Sequence, residues 1–257
     1  MALPSPTLLR VWGIPVRLHW SFLLLAVGGI AWRYRQDGPE EALFALAIGT
    51  VLFGSVLLHE LGHARVGMAF GLRTRDITLH VFGGVAALRL EPTMSRAELW
   101  IALAGPGVNA GVALIALGLR ALGVPWMLPV ILINTGMALF NLLPAYPMDG
   151  GRVLRAWWAP RLGVIDATLR AIRISRLFGW GFLLGGTVGG PSVGIIGLFL
   201  LLATTAERRH WEAMAMRVSV ARRWANAALW APAGAPFGWR GAAWGPEDHS
   251  SGSPPPR

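Results

Sequence analysis

A chain of 257 residues with 54% hydrophobic and only 14% charged side chains, and a mean hydropathy of +0.52, carries too little charge for an ordinary soluble domain. Its net charge is +10, and all 23 basic residues are arginines; they flank apolar stretches, which reads as membrane orientation rather than nucleic-acid binding. With no cysteine, disulfides and thiolate metal sites are excluded, so any metal must be held by His, Asp, Glu or Asn.

These limits predict an all-α polytopic membrane protein. Thirteen tryptophans suit anchoring at two lipid interfaces. Residues 1–17 read as a short lead with Arg10 and Arg17. The first apolar run is His19 to Ala31. It shows no small-residue cleavage site and more spans follow, so it reads as an uncleaved helix rather than a signal peptide. His19, at its interfacial end, reads as a packing residue.

The second span runs from about Ala42 to Phe70, and its first 17 residues, Ala42 to Leu58, hold no charge. They lead into His59-Glu60-Leu61-Gly62-His63. On a helix, residues four apart share a face, so both histidines can address one metal ion. Glu60 stands beside them as a base for a metal-activated water.

Asp76 to Leu90 is too short and too rich in β-formers for a span. It reads as a small membrane-associated β-hairpin turning at Gly83-Gly84. The free edge of such a hairpin could accept an extended peptide. A purely structural re-entrant loop is the alternative.

The third span, Ala97 to Leu119, contains Ala104-Gly105-Pro106-Gly107-Val108-Asn109. Small residues allow close helix approach, and Pro106 frees backbone groups that neighbours must satisfy. Asn109 falls near the middle of the span and needs a buried partner, as interhelical glue or at a metal centre.

The fourth span, Trp126 to Leu143, breaks into Asn141-Leu142-Leu143-Pro144-Ala145-Tyr146-Pro147-Met148-Asp149-Gly150-Gly151-Arg152. Irregular backbone at that depth is tolerated only inside protein or against a cavity, which makes Asp149 the natural third ligand. After six arginines between Arg152 and Arg176, short fifth and sixth spans follow at Leu177–Val188 and Val193–Thr205. Residues 207–231 read as a basic amphipathic helix on the membrane surface, and 232–257 as a disordered tail. The six-span domain is thus 1–206. No repeat, second globular domain or nucleotide-binding glycine loop is evident.

Arginine placement tests the site independently. The connections after the second and fourth spans and both ends of the chain are arginine-rich, while the opposite loops hold Arg33, Arg35 and Arg120. Both termini are therefore expected in the cytoplasm. His59 then lies about 25 Å down an inward-running helix, and Asp149 follows the last turn of another inward span. Both halves of the proposed site reach the same side.

These motifs resemble the site-2 protease family of intramembrane zinc metalloproteases. That family pairs H-E-x-x-H on one span with N-x-x-P-x-x-x-x-D-G on a later one, here Asn141, Pro144, Asp149 and Gly150. Gly13 to Trp20 also resembles the run that opens the first span in some members. The resemblance covers about residues 11–205. It implies one Zn2+ held by His59, His63 and Asp149, with Glu60 as the catalytic base. It also implies Asn141, with Asn109, as a donor to the developing oxyanion. The implied substrate is a transmembrane segment of a membrane-anchored protein, unwound and held along the Gly83-Gly84 hairpin, with lipid as the surroundings and no nucleic acid. A metal-ion transporter using the same His/Asp site is the rival reading. It needs no Glu60 base and usually more than one charged station along its path.

Overall fold

The computed structural model describes residues 6–80, 83–88 and 95–229, of which the side chains of His80, 83–88 and 227–229 are left out of account. In chain order the elements are β1 (Thr7–Val11), β2 (Ile14–Leu18), α1 (Trp20–Asp37), α2 (Pro39–Ala69), β3 (Thr74–His80) and β4 (Gly83–Leu88). Then come α3 (Ser95–Ala121), α4 (Met127–Asn141), α5 (Asp149–Leu162), α6 (Val164–Gly189) and α7 (Pro191–Leu229). The chain forms two compact units, Met1–Arg209 and His210–Arg257. The expected disordered tail lies outside the described residues.

Each expected apolar run is helical apart from one or two residues at the ends of the first, second and fourth. Among the described residues, three helical stretches are long and apolar enough to cross a bilayer: α2, α3 and Pro191–Asn226 of α7. The apolar α4 has 15 residues, which is about 22 Å of rise. The expected sixth span and the basic segment after it form one helix rather than two. No Gly or Pro occurs between Leu198 and Leu229 to break it.

The β structure is larger than a hairpin. Four strands form one sheet in the order β1-β2-β3-β4. The amino-terminal lead, for which no strand is expected from the sequence, supplies β1 and nearly all of β2, which pair antiparallel around a turn where Trp12 and Gly13 have φ of 52° and 80°. That left-handed pair suits the twist of a tight hairpin. In β2, Ile14, Val16 and Leu18 alternate inward and are buried. β2 pairs parallel with β3, Val16 opposite Ile77 and Leu18 opposite Leu79, so α1 and α2 form the crossover. Ile14, Val16, Leu18, Ile77 and Leu79 pack with Ala64, Phe53, Val56, Leu57 and Leu61 of α2. The sheet is thereby seated on the helix that carries the histidine motif.

The β3–β4 hairpin exists, but its glycines do not make the turn. Gly83 pairs with His80 and Gly84 with Leu79, so both belong to β4. Val81 and Phe82, between the paired ends of the two strands, lie outside the described residues. β4 ends the sheet, with no strand on its outer side among the described residues.

Gly150 and Gly151 are likewise not loop residues. The break after α4 covers 142–148, and helix resumes at Asp149. A Cβ on Gly150 would run into the carbonyls of Leu142 and Leu143, and one on Gly151 would stand 2.8 Å from the Tyr146 amide nitrogen. These glycines let α5 fold back against the irregular segment. A core of Ala145, Met148 and Leu200, packed with Phe140, Phe178 and Phe199, holds that segment in place.

Candidate metal centre

The site is assembled from α2, α3 and the start of α5. The four-residue spacing sets His59 and His63 on one face of α2 with ring centroids 4.7 Å apart. Asp149 occupies the first turn of α5. Its Oδ2 lies 3.2 Å from His59 Nε2 and 3.1 Å from His63 Nε2, and the two nitrogens are 3.1 Å apart. All three side chains are buried. Among the described residues this is the one group of three or more potential ligands.

The chemistry of the triangle calls for a cation. His63 Nδ1 is 2.6 Å from the Ile101 carbonyl, which can only accept, so the proton sits on Nδ1 and Nε2 presents a lone pair. His59 Nδ1 donates to Asn109 Oδ1 at 2.6 Å, so its Nε2 presents a second lone pair. A carboxylate oxygen supplies the third. Three lone pairs about 3 Å apart with no proton between them repel each other unless a cation sits among them. Donors at about 2.0–2.1 Å from a tetrahedral zinc would stand about 3.3 Å apart, close to the edges of this triangle.

Glycine keeps the space open. A Cβ on Gly105 would stand 2.6 Å from His59 Nε2 and closer still to His63 Nε2. Gly62 does the same for the helix pair: a Cβ there would meet Val108 at 2.8 Å. The Ala104-Gly105-Pro106 stretch thus brings α3 flat against the ligand edge of the histidines, where any larger side chain would occupy the metal position.

Glu60 is 7% exposed, and its electrostatic neighbours are His63, His59, Asp149 and Arg152. It belongs to the cluster without being one of the three converging ligands. Arg152 Nη1 lies 3.6 Å from Asp149 Oδ1, the oxygen that faces away from the histidines. The ion pair of Arg155 with Glu98, whose Nε–Oε1 distance is 2.9 Å, ties α5 to the first turn of α3. It thereby fixes the aspartate-bearing helix to the glycine-bearing one.

Other expected site residues are placed differently. Asn109 is fully buried, with its amide engaged by His59 and by Asn134, so contact with substrate would need groups already occupied. Asn141 donates from Nδ2 to the Met137 carbonyl at 3.0 Å, one turn back in its own helix. An oxyanion role would need that amide turned away from Met137. His19 caps α1 by accepting from the Ser21 amide, in keeping with a packing role. Asn134 was not anticipated. The signal was there, a lone amide inside the apolar fourth span.

Comparison with known proteins agrees with this geometry. The family model described as "Peptidase family M50" matches residues 47–127, which include both histidines, Gly105 and Asn109. "Zinc metalloprotease MJ0392" of Methanocaldococcus jannaschii is 33% identical over 215 residues, covering 81% of this chain and 62% of that protein. "Stage IV sporulation protein FB" of Bacillus subtilis is 31% identical over 178 residues, 64% of this chain and 55% of that one. The chain spans about half to three-fifths of the length of the curated relatives it matches. The solved structure "Site-2 Protease from Methanocaldococcus jannaschii" superposes with a TM-score of 0.63 at 31% identity, covering 80% of this chain and 95% of that chain. With the zinc-compatible triangle of His59, His63 and Asp149 in place, these likenesses show that the chain belongs to the site-2 protease, or M50 peptidase, family of zinc metalloproteases.

Proposed function

We propose that this chain is an intramembrane zinc endopeptidase that cuts transmembrane segments of membrane-anchored proteins, the chemistry of regulated intramembrane proteolysis. One observation carries the reading: three buried lone pairs converge beside Glu60, two of them on α2, a helix long and apolar enough to span lipid. When bound, zinc supplies Lewis acidity toward a water and the scissile carbonyl. His59, His63 and Asp149 hold it, and Gly105 leaves room. Glu60 takes the proton from the attacking water and returns it to the leaving amine, the ordinary exchange of a general base turned acid.

A helical peptide bond is shielded, so the substrate must unwind near the site. The outer edge of β4, beginning at Gly83 and Gly84, has backbone groups with which an extended strand could pair. Asn141 would serve as an oxyanion donor only after releasing Met137. Six spans, both termini in the cytoplasm, and residues 207–231 as a surface-bound segment complete the proposal. Its support is the arginine pattern and the six apolar runs. A metal transporter is not favoured: among the described residues the ligating side chains form one cluster, not a succession of stations.

The test is Glu60→Gln in the full chain, reconstituted with zinc and a single-span membrane protein. The variant is expected to keep its zinc and lose cleavage by more than about 100-fold, the upper range for removing a general base being about 10⁴. Cleavage at the unaltered rate would end the protease reading. Zinc flux across vesicles without proteolysis would put transport in its place.

A further inference from the structure

The two metal-facing histidines are held in their tautomers by different means. His63 is fixed by the backbone, because the Ile101 carbonyl can only accept. His59 is fixed by a side-chain amide, and an amide has two faces. If Asn109 presented its NH2 group to His59, Nδ1 would have to be the acceptor. The proton would then move to Nε2, and Nε2 could no longer bind a metal.

What decides the face is on α4. Asn134 is fully buried and lies within hydrogen-bond distance of the Val130 carbonyl, at 2.9 Å. That carbonyl can only accept, so the Asn134 atom facing it is the NH2 group, which also donates to Ser55 Oγ at 2.9 Å. Asn134 Oδ1 is therefore turned to Asn109, 2.8 Å away, and draws the Asn109 NH2 toward itself. The same NH2 points at the Ser55 carbonyl, 3.5 Å off. Asn109 Oδ1 is left for His59 Nδ1.

We propose that Asn134, acting through Asn109, is the positioning residue that holds His59 in the tautomer with Nε2 free for metal. The proposal rests on the metal-site reading above. It assigns α4 a share in the centre although α4 supplies no ligand. The chain of decisions runs from a backbone carbonyl on α4 through two amides to an imidazole on α2. Outer partners of metal-bound histidines commonly govern affinity by fixing tautomer and ring orientation. Here that function is divided between two residues, the second of them remote from the ion.

The experiment uses the full chain in detergent, with zinc titrated against a competing chelator and 15N-imidazole spectra recorded on the zinc-free protein. Asn134→Leu removes the oxygen that orients Asn109. It is expected to weaken zinc binding by about 10- to 100-fold and to give His59 a mixture of tautomers while His63 keeps one. Asn134→Asp keeps an oxygen facing Asn109 and is expected to recover most of the affinity. Wild-type affinity and an unchanged His59 spectrum in Asn134→Leu would overturn the proposal, as would equal disturbance of both histidines. If Asn134→Leu does not fold, the smaller Asn134→Ala takes its place throughout, with the same expected and overturning results; Asn109→Asp is the control, because both carboxylate oxygens accept and His59 no longer depends on residue 134. Asn109→Asp with Asn134→Leu should then bind zinc at least as well as Asn109→Asp alone, and a 10-fold or greater further loss would overturn the relay. A wild-type chain that binds no zinc at all would sink the metal-site reading itself, a different result from a zinc-binding chain indifferent to residue 134.

Discussion

Two helix interfaces in this molecule bring backbones unusually close, and they do so for different ends. Between α2 and α3, Gly62 and Gly105 remove side chains, and the space gained at Gly105 is filled by imidazole edges and the metal position. Between α6 and α7, Gly179, Gly186 and Gly197 also remove side chains. There the space is filled by the other helix: a Cβ on Gly186 would stand 2.6 Å from the Gly194 Cα, and one on Gly197 would strike the Leu183 amide nitrogen. The first interface is laced with buried Ser55 and Asn109, with Asn134 of α4 beside them, whereas at the second the apolar Leu201 and Val193 stand against Gly179 and Gly189. In lipid, apolar surface gives helices no hydrophobic reason to associate, so close van der Waals packing and polar contacts must do it. One glycine-rich seam serves adhesion, the other serves chemistry. Composition alone does not distinguish them.

That contrast can be broken at its centre. Asp149→Ala removes a ligand outright, and should lower zinc affinity by more than the roughly 100-fold that outer partners govern, read by chelator competition on purified protein. Filling the chemical seam comes next. Gly105→Ala sets a methyl group against both Nε2 atoms and is expected to cost about 10- to 100-fold in zinc affinity, while helix content by circular dichroism stays unchanged. Normal zinc loading in that variant would show that α3 does not shape the metal position. The adhesive seam should answer in the opposite way. Gly197→Ala is expected to lower unfolding stability by about 1–3 kcal/mol, as overpacking generally does, with zinc affinity of the folded protein unaltered. The smallest effect belongs to the exposed ion pairs of Arg33, one with Asp37 within α1 and one with Glu41 across to α2. Arg33→Ala should change stability by less than about 1 kcal/mol, and that little should fade at high salt.

Much of the centre was legible in the sequence because it is written in local geometry. His59 and His63 share a face wherever that segment is helical, and an apolar run of 17 residues leaves little else for it to be. Asp149 stood out because prolines just before it and glycines just after it interrupt an apolar segment. The glycines themselves were misread for the same reason. Gly in a sequence signals a turn as readily as a close approach, and Gly83, Gly84, Gly150 and Gly151 all lie inside regular elements. Strands β1 and β2 escaped notice although Ile14, Val16 and Leu18 alternate, because five residues are too few for a periodicity to announce itself.

The chain's own order of residues therefore determined the helices, the ligand identities and their spacing along α2, since each depends on neighbours a few positions apart. Tertiary structure alone decided that β2 would pair across two helices with β3, that Gly105 would face the imidazoles, and that Asn134 would meet Asn109. Such pairings join residues from 25 to more than 60 positions apart, and no local rule of backbone or periodicity specifies them. They follow only when whole faces pack at once and every buried donor must find an acceptor.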